Sequence, residues 1–125
     1  MAQARRGDIF CVDIPKKDIV GSEQYGFRPW LVISADIINT SLPIVVAVPL
    51  SSKIQKTNRH HRILIPESEI IHEPGTSKRL SECIALTEQV RVLDAARLGS
   101  VKVAHLSPAA VASVEAGLAY VLGLP

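Results

Sequence analysis

The sequence predicts a mainly β protein, a small and highly curved antiparallel barrel with one long helix at its C-terminus. Three observations carry this reading. Short runs of β-branched and aliphatic residues recur along most of the chain, each closed by Pro, Gly or a polar cluster. One of them, Ile44-Val45-Val46-Ala47-Val48, is apolar throughout, as a strand buried on both faces would be. Only the last stretch has helical spacing, with Val111, Val114, Leu118 and Val121 on one stripe.

The elements follow in order. Residues 9–14 form a first strand that ends at Pro15. Residues 15–26 hold Pro, Lys-Lys, Asp, Ser, Glu, Gln and two Gly. They read as a polar loop of about twelve residues, near the length at which loops tend to be functional. Residues 27–34 form a second strand, and Pro29, lacking an N–H, places its beginning at an edge or bulge. Residues 36–41 are a connector with a helical turn. Residues 44–48 make a central strand that Pro49 closes, and residues 51–61 a polar, basic hairpin loop or exposed strand end. Residues 62–65 are another strand, and residues 66–79, with Pro74-Gly75, a loop with room for a short turn. Residues 82–86 and 88–93 are two adjoining strands or one bent strand. Asp94 as cap and Gly99 as stop predict one helical turn over 95–98. A last strand covers 101–105. Ser107 then caps the terminal helix, Pro108 takes its first position and Gly123 ends it. Glu115 is the one ionic residue of that helix, so its outer side suits a dimer contact or a partner groove.

Composition narrows the function classes. The 125 residues suit a single domain, 1–125, and the 47% hydrophobic content supports a core. With 4% aromatic residues, that core is built of Val, Ile, Leu and Ala. No apolar segment approaches the ~20 residues of a spanning helix, and the charged residues at positions 1–6 have no apolar stretch behind them. The expectation is a cytoplasmic protein with no membrane partner. Cys11 and Cys83 lack metal or redox spacing and are expected as small buried apolar residues. The net charge of +2 is uneven. Residues 1–62 carry nine Lys/Arg against five Asp/Glu, and residues 63–125 five against seven. A positive first half suits a phosphate backbone as partner.

Several kinds of chemistry have no motif here. There is no HExxH, no paired-cysteine spacing, no GxxxxGK[ST] loop and no GxSxG elbow. His60-His61 is adjacent rather than spaced for a metal, and His72 and His105 are isolated, so neither a metal nor another cofactor is expected. What remains is polar residues at strand ends. The loop Gly21-Ser22-Glu23-Gln24-Tyr25-Gly26 runs straight into Arg28-Pro29, and Ser51-Ser52 follows the central strand. A guanidinium offers a planar fork of donors that matches phosphate oxygens. Held at a strand mouth, it can stabilise charge developing on phosphorus, with serine hydroxyls donating to the same group. RNA carries its own nucleophile, the 2′-hydroxyl, and needs only positioning, charge stabilisation and a proton acceptor to be cut. DNA lacks that hydroxyl and escapes such a site.

With these residues in place, the chain resembles the MazF/PemK (Kid) family of toxin endoribonucleases, the mRNA interferases of toxin–antitoxin modules. The resemblance rests on Arg6-Gly7-Asp8-Ile9-Phe10, Gly21-Ser22-Glu23-Gln24, Arg28-Pro29 with Leu31-Val32-Ile33-Ser34, and Pro49-Leu50-Ser51-Ser52-Lys53. Glu88-Gln89-Val90-Arg91, then Asp94, Arg97-Leu98-Gly99 and Leu106-Ser107-Pro108 continue it in order. It implies an SH3-like barrel of the CcdB/PemK type, a homodimer, and metal-independent cleavage of single-stranded RNA at a short sequence. It also implies neutralisation by a cognate MazE-like antitoxin. The family's catalytic arginine lands on Arg28. Its catalytic hydroxyl, usually a threonine, lands on Ser51, which keeps the oxygen and drops the methyl that stiffens the rotamer. Glu23 is the candidate base or helper. Ser22, Gln24, Ser52, Lys53, Lys56, Gln89 and Arg91 are candidate RNA contacts. The stretch Lys53, Lys56, Arg59, His60, His61, Arg62 has no carboxylate of its own and is expected to meet the RNA backbone. Trp30, inside an apolar strand, suits core or dimer packing better than base stacking.

Two rivals use the same barrel. A CcdB-like gyrase inhibitor would act through the terminal helix without Arg28 chemistry, and the presence of both Arg28-Pro29 and Pro49-Leu50-Ser51 argues against it. A non-catalytic RNA-binding barrel would carry the same residue types out of register.

Overall fold

In the computed structural model, residues 3–53, 60–77, 79–99 and 102–125 are described. Lys56, Arg59 and Val101 lie outside them. Strands β1 (Asp8–Ile14), β2 (Gly26–Val32) and β3 (Ile44–Ser51) form an antiparallel meander. Helix α1 (Asp36–Ser41) links the second and third. Strands β4 (Arg62–Ile65), β5 (Ile70–His72), β6 (Cys83–Leu86), β7 (Arg91–Asp94) and β8 (Ala104–Leu106) complete the sheet, and helix α2 (Pro108–Leu122) ends the chain. The strand order is β4-β6-β3-β2-β1-β8-β5, with β7 also pairing β3. The result is a nearly closed antiparallel barrel with a C-terminal helix, as the sequence predicts.

Alternation along the meander feeds two cores. Ile9, Leu31 and Val48 enter one with Ala110 and Val114 of α2, while Phe10, Trp30 and Ala47 enter the other with Leu93 and Leu98. Both faces of the central strands are therefore buried, which is why residues 44–48 read as an unbroken apolar run. Trp30 is 0% exposed and belongs to the second core, not to a stacking surface. Cys83 is buried, and Cys11 packs against the first core.

Four expectations need correction. Pro49 does not close β3, because the strand runs on to Ser51. It sits where β3 changes partners: residues 44–47 pair with β7, and Leu50 and Ser51 pair with β6. A missing N–H is tolerated at such a handover. The segment 66–79 is not all loop, since a 3-10 turn at Glu67–Glu69 leads into β5, a strand too short to leave a period-two signature. The last strand is β8 rather than residues 101–105. On α2 the buried stripe is Ala110, Val114 and Gly117, while Val121 is exposed. At Gly117 the helix packs tightly on the barrel. A Cβ there would lie 2.9 Å from Ile63 Cγ1 and 3.1 Å from Thr87 Cγ2, so Ala costs about 1–3 kcal/mol.

The terminal helix obeys the rest of the prediction. Ser107 Oγ accepts from the Ala110 N–H at 3.1 Å, and Gly123 adopts the left-handed conformation that ends it. Residues 83–94 are one path bent by a 3-10 turn at Thr87–Gln89, and the predicted turn over Ala95–Leu98 is a 3-10 turn capped by Asp94.

Candidate active site

The two prolines shape the site. Pro29 faces Cys11 of β1, but pairing of β2 with β3 starts only at Trp30, opposite Pro49. Upstream of that pair, Phe27 and Arg28 have a free edge, the edge position the sequence assigns to Pro29. Beyond it, Ser51 lies at the end of β3. The diverging ends leave a cleft of about 340 Å³ lined by Phe27, Arg28, Ser51, Ser52, Arg79 and Glu82, among others. A second hollow of about 390 Å³ shares Phe27, Arg28, Ser51 and Lys53 and adds Glu23 and Gln24. A third, about 440 Å³, shares Glu23 and Gln24 and adds Gln89 and Arg91. The shared linings make one groove along the barrel rim.

Arg28 is half-buried at the centre of that groove. Its Nε donates to the Tyr25 carbonyl at 3.2 Å, which fixes the guanidinium plane. Its Nη groups have no partner among the described residues, and Arg28 lines two of the hollows, so those donors are free for a ligand. Ser51 is 7% exposed, and its Oγ accepts from the Lys53 N–H at 3.2 Å. That bond pins the hydroxyl as a threonine methyl would by bulk, and leaves the O–H proton to donate. The sequence alone did not separate Ser51 from Ser52. Ser51 lines both central hollows, and Ser52 is exposed and lines only the first.

The loop before Arg28 is held from within. Glu23 Oε1 accepts the Val20 N–H at 2.6 Å, and the Glu23 N–H donates back to the Val20 carbonyl at 3.3 Å. Gln89 Nε2 donates to the Ser22 carbonyl at 3.2 Å, so this predicted RNA contact buttresses the loop. The structure brings Arg28, Ser51, Glu23, Gln24, Ser52, Lys53, Gln89 and Arg91 to the groove. Ser22 lines none of its three hollows and meets it only through the bond from Gln89. Lys56 lies outside the described residues.

The basic stretch is not all free cation. Arg62 Nε donates to Glu88 Oε1 at 2.9 Å, and His61 Nε2 lies 3.8 Å from the same oxygen. Pairing of Arg62 with Leu86 delivers that carboxylate from the neighbouring strand, which the local sequence could not reveal. His60 and His61 lie against the Tyr120 ring at centroid distances of 5.1 and 6.3 Å. Sequence reasoning also missed the far wall of the cleft, Arg79, Ser81 and Glu82. Pro74-Gly75 marked the segment as a loop, and nothing local marked it as facing Arg28. Among the described residues, no three His, Cys, Asp or Glu side chains gather as a metal site.

Residues 5–122 match the family described as PemK-like, MazF-like toxins of type II toxin–antitoxin systems. The chain belongs to this family. An endoribonuclease of Bacillus subtilis, EndoA, is 32% identical over 120 residues, covering 96% of this chain and 95% of its own. The endoribonuclease MazF of Staphylococcus saprophyticus is 31% identical over 120 residues, covering 96% and 92%. Among solved structures, MazF from Deinococcus radiodurans superposes with a TM-score of 0.74 at 22% identity, covering 99% of this chain and all of that one. A mycobacterial endoribonuclease in complex with its cognate antitoxin gives a TM-score of 0.67 at 24% identity, covering 100% and 98%. The fold of the MazF/PemK barrel is therefore the fold of this chain.

Proposed function

We propose that this toxin-family endoribonuclease cuts single-stranded RNA in the cytoplasm at a short recognised sequence, without a metal, by attack of the RNA's own 2′-hydroxyl. The stretch 1–125 would act as one toxin domain. The supporting observation is the pairing, in one groove, of a guanidinium with free donors and a hydroxyl held in place. Arg28 and Ser51 receive the scissile phosphate, and the charge growing on its oxygens meets donors already aimed at it. Glu23 Oε2 has no hydrogen bond among the described residues and takes the 2′-hydroxyl proton. The 2′-oxygen bonds to phosphorus, the bond to the 5′-oxygen breaks, and that oxygen takes a proton from solvent. The products are a 2′,3′-cyclic phosphate and a 5′-hydroxyl. Lys53 and Arg91 steady the backbone on either side.

The cognate partners are a second copy and a MazE-like antitoxin. An apolar groove of about 530 Å³, lined by Ile38, Leu42, Ile44, Leu118, Leu122 and Leu124 among others, supports the homodimer. It joins the outer end of α2 to α1 and β3, and its only charged lining residues, Arg6 and Glu115, are paired with each other.

The test is cleavage of a long single-stranded RNA in EDTA by the wild type and by Arg28→Ala. Cutting by the wild type alone, with 5′-hydroxyl ends, supports the proposal. Cutting that needs a metal, 5′-phosphate ends, or equal cutting by Arg28→Ala would refute it.

A further inference from the structure

Three carboxylates stand along the groove, and they differ in what holds them. Glu23 is tied to the Val20 N–H, and Glu88 is paired with Arg62 and His61. Glu82 lines the cleft of Arg28 and Ser51, half-buried, with no hydrogen bond or ion pair among the described residues. It makes no ion pair with Arg28, although both line the same hollow. A carboxylate held apart there repels a phosphate and weakens binding, unless the substrate brings a donor to it.

We propose that Glu82 is a specificity residue that accepts a hydrogen bond from the exocyclic amine of the nucleobase beside the cut. The inference rests on the nuclease reading above. A nucleotide is bipolar in the same sense as the cleft: an anionic phosphate at one end, and on adenine, cytosine or guanine an amine donor at the other. Ionised Glu is acceptor-only, so it reads donors and rejects the carbonyl edge of uracil. Phe27, at the rim of the same cleft, is 66% exposed and offers a ring face for that base to stack on. The cleft, at about 340 Å³, is in the range of a small-ligand site. Arg28 and Ser51 thus fix where the phosphate lies, and Glu82 with Phe27 decides which base may lie next to it.

The experiment maps 5′-hydroxyl ends on a long RNA cut by full-length wild type and Glu82→Gln. The wild type should cut where one flanking position bears an amine, with uracil there disfavoured about 10- to 100-fold. Glu82→Gln, whose amide both donates and accepts, should lose that discrimination while other positions of the site keep theirs. A synthetic substrate lacking the amine (purine for adenine, inosine for guanine, 2-pyrimidinone for cytosine) should slow the wild type by a similar factor. It should not slow Glu82→Gln further, which separates base reading from a folding defect. Uracil accepted equally by the wild type, or an unchanged site preference in Glu82→Gln, overturns the inference while the nuclease reading stands. A wild type that cuts no RNA at all overturns both.

Discussion

The two walls of the cleft are built in opposite ways. The wall formed by residues 22–28 is braced by three side-chain hydrogen bonds: Glu23 to Val20, Gln89 to the Ser22 carbonyl, and Arg28 to the Tyr25 carbonyl. The wall formed by residues 79–82 has one such brace among the described residues, the Leu80 N–H donating to His72 Nε2 at 2.9 Å. Its charged side chains, Arg79 and Glu82, are unpaired among the described residues. Groups that must meet a transition state gain from being fixed beforehand, because no reorganisation is left for the reaction itself. Groups that read a base can afford to wait for it. On the proposed function, the braced wall is the one assigned to catalysis and the open wall the one assigned to base selection.

Five substitutions break or sharpen that contrast. The largest effect is expected for Arg28→Ala, which should lower kcat/KM for RNA by at least about 10²- to 10³-fold. Arg28→Lys should recover little, since a single ammonium cannot replace the fork. Ser51→Ala should cost roughly 10²-fold, and Ser51→Thr should keep the rate within a few-fold, both read by single-turnover cleavage. Gln89→Ala removes one brace and should lower kcat about fivefold with the cleavage sites unchanged, the mirror image of the Glu82→Gln result. A shift in site preference instead would erase the distinction between the walls.

The smallest effect is a pH signature at the foot of the open wall. Burial, aided by the Glu82 charge, pushes the Cys83 thiol from its ordinary 9.0 up to about 12. Below pH 9 the thiol is neutral in both the folded and unfolded chain, and its contribution to stability is complete. Between pH 9 and 12 only the unfolded chain ionises, so stability falls as pH rises. The urea midpoint should therefore drop between pH 8 and 10.5 in the wild type and drop less in Cys83→Ala.

Much of this molecule was legible from its sequence, and the limits have physical causes. The strands of the meander announced themselves because both their faces are buried. The terminal helix did so because Ser107, Pro108 and Gly123 mark its ends. Arg28 and the serine pair 51–52 were singled out by strand-end position and residue type, and the family resemblance chose Ser51; the structure places Arg28 and Ser51 in one cleft. Glu82 was not found, because Arg28 lies more than fifty positions earlier and only the β2–β3 and β3–β6 pairings bring the two to one cleft. Arg62 was read as a free cation for the same reason, its neutralising Glu88 arriving across a strand pair. Pro49 was read as a stop because a single sequence shows a missing donor but not the exchange of neighbours that makes it harmless.

The central claim is that the RNA supplies the nucleophile. It is tested most directly on a short RNA carrying one cleavage site, made with a single 2′-deoxynucleotide on the 5′ side of the scissile phosphate. The account predicts that this substrate still binds and is not cut, while a 2′-deoxy substitution one position further along leaves cutting intact. Cleavage of the first substrate at the rate of the all-RNA control would contradict it.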